Sequence, residues 1–527
     1  MQRSKSSHIL SKYFSWSPWL ACLLLLLTIL RIPNFFEPYW YGDEAIYLTI
    51  GTALRNGARL YAEIVDHKTP LIYYFAAVGS QLNFRILFVL WMLMSTCFFY
   101  SLAQTFFVRM RSVVISTLLF VVFTSLPWFE GHIPNGELFV IGFVLSGLWI
   151  LTKTTYLQRF LSSDTTHLRS THTQWALLIA AGFVFGLGVL TKVPAILDVG
   201  AVLTVAWFSL VLLAMQAKHK KQFCIESWQI IREALAFVFG VILAIALSIL
   251  YFWSRGSLQE YTTFGLLYNF HYTGTWVLTF SSHIVSLLFT MPGKLAVVAS
   301  GIIILSILSK KLPRTFIFSA SWALCALFAS LLSNRPYPHY FLQVIPPLAL
   351  LIGQLFEKNT FRSRALQTTL AAAIFMLFVG VLITLHVGFY EVGKYYELAW
   401  KLTTHQISWE QYRNSFNSLM PDNYAAAKII TTSADPYLFI WGTNPTLYAL
   451  TQKQPTGRFT VTFHITDLNA YDETYFDLIA HKPEFIVVMR QETAVLPGLN
   501  ELLAKEYIPN NSFEHFVLWR KRTVPAL

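Results

Sequence analysis

A chain of 527 residues that is 55% hydrophobic and only 13% charged, with a mean hydropathy of +0.51, is no ordinary soluble domain, which carries about twice that share of charge. Its net charge of +12 is dispersed in short clusters between apolar runs, so no nucleic-acid partner is expected. What remains is a polytopic α-helical membrane protein, whose 44 Phe, 25 Tyr and 16 Trp suit spans and interfacial aromatic belts.

The first apolar run, residues 18–30, follows Arg3, Lys5 and Lys12, which places the N-terminus in the cytoplasm. No small-residue cleavage site follows, so the run reads as a span rather than a removable leader. The loop behind it is then on the outer face, and it carries Asp43-Glu44 and, further on, Asp66-His67-Lys68-Thr69-Pro70. Residues 44–55 read as an amphipathic helix with Ile46, Ile50 and Leu54 on one stripe, Asn56-Gly57 as its stop and Asp43 at its N-cap. Residues 70–82 would make a helix of about 20 Å, short of a hydrocarbon core of about 30 Å. They read as a helix lying at the outer interface with Pro70 at its first position.

Further apolar runs near 86–108, 113–129, 137–152, 175–190, 195–216, 233–253, 295–309, 315–333, 340–356 and 366–386 bring the total to roughly eleven spans. On this count Arg109 and Arg111; Lys153, Arg159 and Arg169; Lys218, Lys220, Lys221 and Arg232; Lys310, Lys311 and Arg314; and Lys358, Arg362 and Arg364 all face the cytoplasm. Letting residues 70–82 cross would reverse every one of them. The odd count places the polar tail outside. Two domains are expected: a transmembrane domain over 1–388 and an external α/β domain over 389–527. In the tail, residues 437–441, 458–463, 485–489 and 516–519 read as strands and 424–430 and 499–505 as helices, with turns at Gly442 and Asn444-Pro445. No Gly-rich phosphate loop marks a nucleotide site, and Cys22, Cys97, Cys224 and Cys325 have no metal-ligand or disulfide spacing.

Ionisable groups beside hydrocarbon are costly without a task. Asp43 has two compatible readings: a capping residue worth about 1 kcal/mol, or a general base for an incoming hydroxyl. Glu44 completes the candidate catalytic pair, although it lies about 100° round the helix. Lys68 either pairs with Asp66 and snorkels or contacts a phosphate at headgroup depth. Lys192, and Arg335 in Arg335-Pro336-Tyr337-Pro338-His339-Tyr340, are further outer-face cations. Singly each is an ordinary anchor; three of them opposite the cytoplasmic clusters fit an anionic substrate. Glu137 starts a span, where the macrodipole favours an acid; with His132 it supplies only two of the ligands a metal needs. The aromatic stretch 261–276, with Tyr268, His271, Tyr272 and Trp276, suits an interfacial belt or a stacking surface.

Tyr41-Gly42-Asp43-Glu44-Ala45-Ile46-Tyr47 and Asp66-His67-Lys68-Thr69-Pro70-Leu71-Ile72-Tyr73-Tyr74 resemble the first outer loop of GT-C glycosyltransferases that use polyprenyl-phosphate sugars. The branch is that of protein O-mannosyltransferases and bacterial aminoarabinose transferases. Leu190-Thr191-Lys192 and His339-Tyr340-Phe341-Leu342-Gln343-Val344-Ile345-Pro346-Pro347 resemble further segments of its bacterial members. The resemblance implies a multi-span fold with interfacial helices in the first outer loop. It also implies inverting transfer of one sugar from the carrier to a hydroxyl of a lipid, glycan or protein acceptor at the outer face of the plasma (inner) membrane. By position it makes Asp43 the acceptor-binding residue or base and sets Lys68 and Lys192 against the carrier phosphate; beside these, Glu44 is kept as a catalytic candidate and Asp66, Glu137, Arg335, His339 and Tyr340 as substrate-binding candidates. Ile46 stands where the lipid A branch usually has an arginine, a departure that sets the chain apart from that branch's acceptor and its particular sugar. A phosphate leaving group needs no metal, and a divalent cation is left open. The rival reading is a lipid or solute transporter with an external cap.

Overall fold

The computed structural model describes residues 17–162, 171–216, 219–274, 276, 278, 280–357 and 364–522. Arg3, Lys5, Lys12, Arg169, Lys218, Lys358 and Arg362, used above for orientation, lie outside them.

Among the described residues, six helices are long and apolar enough to cross a membrane: Pro18–Phe36, Gln81–Phe106, His172–Val189, Val193–Gln216, Lys220–Ser254 and Arg364–Thr384. Gly136–Leu151 and Thr155–Leu161, bent by 80° at their junction, make a seventh if taken together, and Met110–Ser125, Met291–Ile307 and Arg314–Ser330 are shorter apolar helices. The expected span at 340–356 divides into a 3-10 turn, Pro338–Val344, and an eleven-residue helix, Ile345–Leu355. Pro346 and Pro347 open that helix, where a missing N–H costs nothing. At about 16 Å it is short for a crossing, and most of its residues are buried.

The chain forms two compact units. The first comprises Met1–Ile32, Phe88–Leu250 and Phe270–Val392. Its long helices pack through small residues: a Cβ at Gly182 would collide with the Phe237 carbonyl, and one at Gly240 with the Ile179 carbonyl. Removing those side chains lets backbones meet, the usual solution where lipid gives helices no hydrophobic reason to associate.

The second unit comprises Pro33–Leu87, Tyr251–Asn269 and Gly393–Leu527. Its sheet has five strands, β1 (Tyr437–Trp441), β2 (Gln454–Pro455), β3 (Phe485–Met489), β4 (Tyr507–Ser512) and β5 (Phe516–Lys521), in the order β2-β1-β3-β5-β4. β1 runs parallel to β2 and β3, while β5 is antiparallel to β3 and β4. Leu438, Ile440, Phe485, Val487, Phe516 and Leu518 alternate onto one face and pack with Ala426 and Ile430 of Met420–Ile430 and Leu447 and Tyr448 of Pro445–Thr451. Residues 458–463 do not form the expected strand. Phe459 makes an isolated parallel bridge with Val65, and Thr462–Asp467 is helical. That bridge brings the tail against the Asp66 loop within this unit.

In the loop after the first apolar helix, the next helix starts earlier than expected, at Gly42, with Tyr41 at the cap position. Asp43 therefore lies in the first turn and is not the cap. The helix expected over 70–82 is six residues long, Leu71–Ala76, ending before Gly79, whose φ of +136° is one that L side chains avoid.

Candidate active site

Within the second unit, Asp43, Asp66 and Lys68 form a row. The Lys68 ammonium lies 3.5 Å from Asp43 and 3.4 Å from Asp66, and 5.2 Å above the Tyr47 ring. The Tyr47 hydroxyl donates to Asp43 at 3.2 Å, and Tyr73 donates to Asp66 at 2.7 Å. Asp66 is fully buried, whereas the Asp43 side chain keeps 30% of its surface. Burial alone would raise the Asp66 carboxyl, but Lys68 and then His67 hold it well below the usual carboxylate range. The loop is fixed by Tyr61, which donates to the Lys68 carbonyl at 2.7 Å from a left-handed backbone (φ 68°), a conformation rare for a bulky residue and common at functional sites. Its ring fits because residue 265 is glycine: a Cβ there would lie 2.9 Å from it.

Two histidines close the back of the row. His67 Nδ1 lies 3.0 Å from Asp66 Oδ1 and 3.1 Å from His464 Nε2, which is itself 3.3 Å from the same oxygen. Sequence reasoning missed His464, because nearly 400 residues separate it from His67 and no spacing signals the pair. The bridge at Phe459 and the helix Thr462–Asp467 deliver it. Burial lowers its pKa to about 3, so its imidazole is neutral and can act as a ligand. These three atoms form the one group of potential metal ligands found among the described residues; His132 and Glu137 are not part of it. Their spacing matches a tetrahedral edge of about 3.3 Å for zinc bonds of 2.0–2.1 Å, and Asp66 Oδ1 accepts no hydrogen bond. The residues fit a divalent cation.

Glu44 sits elsewhere. Both its oxygens are held by Arg85, at 2.7 Å from Nε and 2.6 Å from Nη2, and Gln81 adds a bond at 3.1 Å. Glu37 joins the same guanidinium at 3.5 Å and accepts from Trp40 at 2.9 Å and from Tyr395. Burial raises the Glu37 pKa against the pull of Arg85. Glu44 thus anchors its helix, and the two acids adjacent in the sequence stand in separate clusters.

The remaining expected site residues belong to the first unit. Lys192 is ion-paired with Glu137 and lies 4.2 Å above the Tyr340 ring. His339 is ion-paired with Glu130. Burial opposes a charged imidazole there, but Glu130 and Glu137 prevail and its pKa is raised above 6.5. Arg335 stacks over Tyr272 and Trp276 at 4.3 and 5.2 Å. A buried acid not foreseen, Asp198, accepts from Trp322 at 2.7 Å and from Gln343; an aspartate inside an apolar run was the available signal.

No family model and no curated protein matches the chain. Among solved structures it is similar to ArnT from Cupriavidus metallidurans in the apo state, with 13% identity and a TM-score of 0.52 over 95% of this chain and 97% of that one. The likeness is one of fold. The archaeal oligosaccharyltransferase AglB from Archaeoglobus fulgidus, in complex with an inhibitory peptide and a dolichol-phosphate, shows 14% identity and a TM-score of 0.40, covering 89% and 69% of the two chains. The S. cerevisiae Pmt1-Pmt2 O-mannosyltransferase complex bound to its sugar donor shows 16% identity and a TM-score of 0.35 over 48% of this chain and 36% of that one. The resemblance read from the first outer loop is borne out at the level of fold.

Proposed function

We propose that the protein is a multi-pass inner-membrane glycosyltransferase that moves one sugar from a polyprenyl-phosphate carrier to an acceptor hydroxyl at the outer face, with inversion. The observation that carries this reading is the Asp43–Lys68 pair: a partly exposed carboxylate beside a cation, on a rigid helix, in a chain with this fold. Asp43 takes the proton of the acceptor hydroxyl. The freed oxygen forms its bond to the anomeric carbon from the face opposite the carrier. The bond from that carbon to the phosphate oxygen breaks, and its electron pair leaves with the phosphate. Lys68 opposes the charge that gathers on the departing oxygens.

Two carboxylates against one lysine leave the row with a net negative charge, which would repel a phosphate. A divalent cation held by Asp66, His67 and His464 would reverse that sign and supply electrostatic stabilisation. Lys192, Arg335, His339 and Tyr340, all in the first unit, remain candidate substrate-binding residues. The acceptor is a lipid, glycan or protein hydroxyl. A transporter would place ionisable groups near the bilayer midplane, whereas Asp198 stands two residues into Ile196–Gln216 and is held by Trp322 and Gln343.

The test is to incubate the purified protein in lipid with radiolabelled polyprenyl-phosphate sugars and a lysate of acceptors, wild type beside Asp43→Asn. Label should move with wild type only. Transfer by the variant would remove Asp43 from the chemistry, and carrier that crosses the bilayer without transfer would favour a transporter.

A further inference from the structure

The two histidine-bearing segments of the second unit are both touched by a third piece of chain in the same unit, Tyr251–Asn269. Within it Tyr261–Leu267 form a wide π-helical turn, closed where the Tyr268 N–H donates to the Thr263 carbonyl five residues back. Such turns are rare and frequent at functional sites. This one packs against the loop that carries Lys68: Tyr61, whose hydroxyl holds the Lys68 carbonyl, has its ring 5.5 Å from that of Tyr261. Phe264 lies 5.0 Å beneath the Arg458 guanidinium, and the Arg458 carbonyl accepts from the Val65 N–H at 2.9 Å.

The two residues that follow the turn reach one histidine segment each. Asn269 directs its amide nitrogen at two carbonyls, that of His67 at 2.9 Å and that of Gly265 at 3.1 Å, which ties the His67 backbone to the turn. Tyr268 is 5% exposed and donates to Asp467 at 2.7 Å. Asp467 ends the helix Thr462–Asp467, and His464 stands three residues before it, so this bond holds the helix that delivers His464. The Tyr268 ring lies beside both imidazoles, its centroid 5.7 Å from that of His67 and 6.0 Å from that of His464. Either bond alone is a modest part of the stability of the fold. Together they set where two imidazoles 397 residues apart in sequence stand relative to one another.

We propose that Tyr268 and Asn269 are positioning residues for the His67–His464 pair, holding the two imidazoles beside Asp66 at the separation a divalent cation needs. This deepens the cation site of the glycosyltransferase reading and rests on it for what the cation does. Partners outside the ligand shell fix the orientation of a metal-binding imidazole and sustain its affinity. A working constellation must be held to within about 0.5 Å. Two adjacent residues at the end of one rigid turn, each bonded to a different ligand-bearing segment, give that control.

The experiment uses full-length protein in detergent and reads zinc affinity against a chromophoric chelator, the thermal midpoint, and amide hydrogen exchange at residues 65–69 and 462–467. Tyr268→Phe keeps the ring and removes the hydroxyl. It should weaken zinc binding about tenfold and speed exchange across 462–467, while 65–69 and the thermal midpoint hold. Asn269→Leu should weaken zinc binding similarly and speed exchange across 65–69 instead. Asp467→Ala should reproduce Tyr268→Phe, and the two combined should bind no more weakly than either. Asp467→Asn, which still accepts the bond, should bind zinc as wild type does. Unchanged exchange in Tyr268→Phe and Asn269→Leu overturns the positioning role. So does faster exchange throughout the chain with a fallen thermal midpoint, which would make both residues part of the general fold. Equal zinc affinity in wild type and both variants, with the segments loosened, overturns the link to the cation. Absence of zinc binding by wild type overturns that link as well, and exchange still decides the positioning. Label transfer by wild type would leave the transferase reading standing in each of these cases, and its absence on every carrier sugar would sink that reading without touching the exchange result.

Discussion

Two buried charge clusters of the second unit are built from the same residue types and differ in how far they are closed. Around Arg85, the carboxylates of Glu44 and Glu37 are met by guanidinium, amide, indole and phenol donors, with the Arg85–Glu44 bonds at 2.6–2.7 Å. Around Lys68, the carboxylates stand 3.4–3.5 Å away, Asp43 is open to solvent, and both Asp66 Oδ1 and His464 Nδ1 have no hydrogen-bond partner. A structural cluster spends its hydrogen bonds internally. A reactive one holds some back, and violations of the usual rules concentrate at such sites. Asp43 and Glu44, adjacent in the chain, belong to different clusters, and that difference is what singles out Asp43 as the proposed base.

The largest expected effect of breaking the comparison is on stability. Arg85→Leu leaves Glu44 and Glu37 buried without their cation and should cost about 3–5 kcal/mol, read as a drop in the thermal midpoint in detergent; a change too small to resolve would mean that the cluster is not closed as described. Next comes Asp66→Asn, which removes the carboxylate shared by Lys68, Tyr73 and the histidines. It should lower the transfer rate roughly 10²-fold, within the range of positioned acid–base groups, with a smaller effect on folding than Arg85→Leu. His464→Ala should weaken binding of zinc, followed by competition with a chromophoric chelator, by roughly 10–100-fold; equal affinity in both proteins would dismiss the Asp66–His67–His464 site.

The smallest effect extends the comparison to the first unit. The native pKa of His339 is raised above its unfolded value, so its pair with Glu130 stabilises the protein fully below about pH 6.5 and loses that contribution as pH climbs through the native value. The thermal midpoint should therefore decline as pH rises from mildly acidic to alkaline, and Glu130→Gln should flatten that slope. A slope that survives the substitution would assign it to another group.

Much of the second unit was legible before its structure. The alternation in residues 437–441, 485–489 and 516–519 marks half-buried strands, and all three are found. Residues 458–463 show the same alternation without becoming a strand, because their partner is a single residue, Val65, rather than a strand edge. β4, with Pro509, Asn510 and Asn511, is polar at an edge and carries no apolar pattern to read. Asp43 and Lys68 were each legible as a charge beside apolar sequence, though not as partners of one another, and the 100° between Asp43 and Glu44 already hinted at their separation. Arg85 at the head of an apolar run was a signal for a buried acid partner. His464, and the pairing of Glu130 with His339, rest on contacts across some 200 to 400 residues, and pattern within a window has no access to them.

The most direct test sets the two adjacent acids against each other. Asp43→Asn and Glu44→Gln would be prepared in the same lipid and assayed side by side for label transfer from a polyprenyl-phosphate sugar and for thermal unfolding. The account predicts that Asp43→Asn unfolds like wild type and transfers nothing, while Glu44→Gln unfolds at lower temperature and, where still folded, transfers sugar. The reverse pattern, activity without Asp43 or chemistry lost with Glu44 in a fully stable protein, would contradict it.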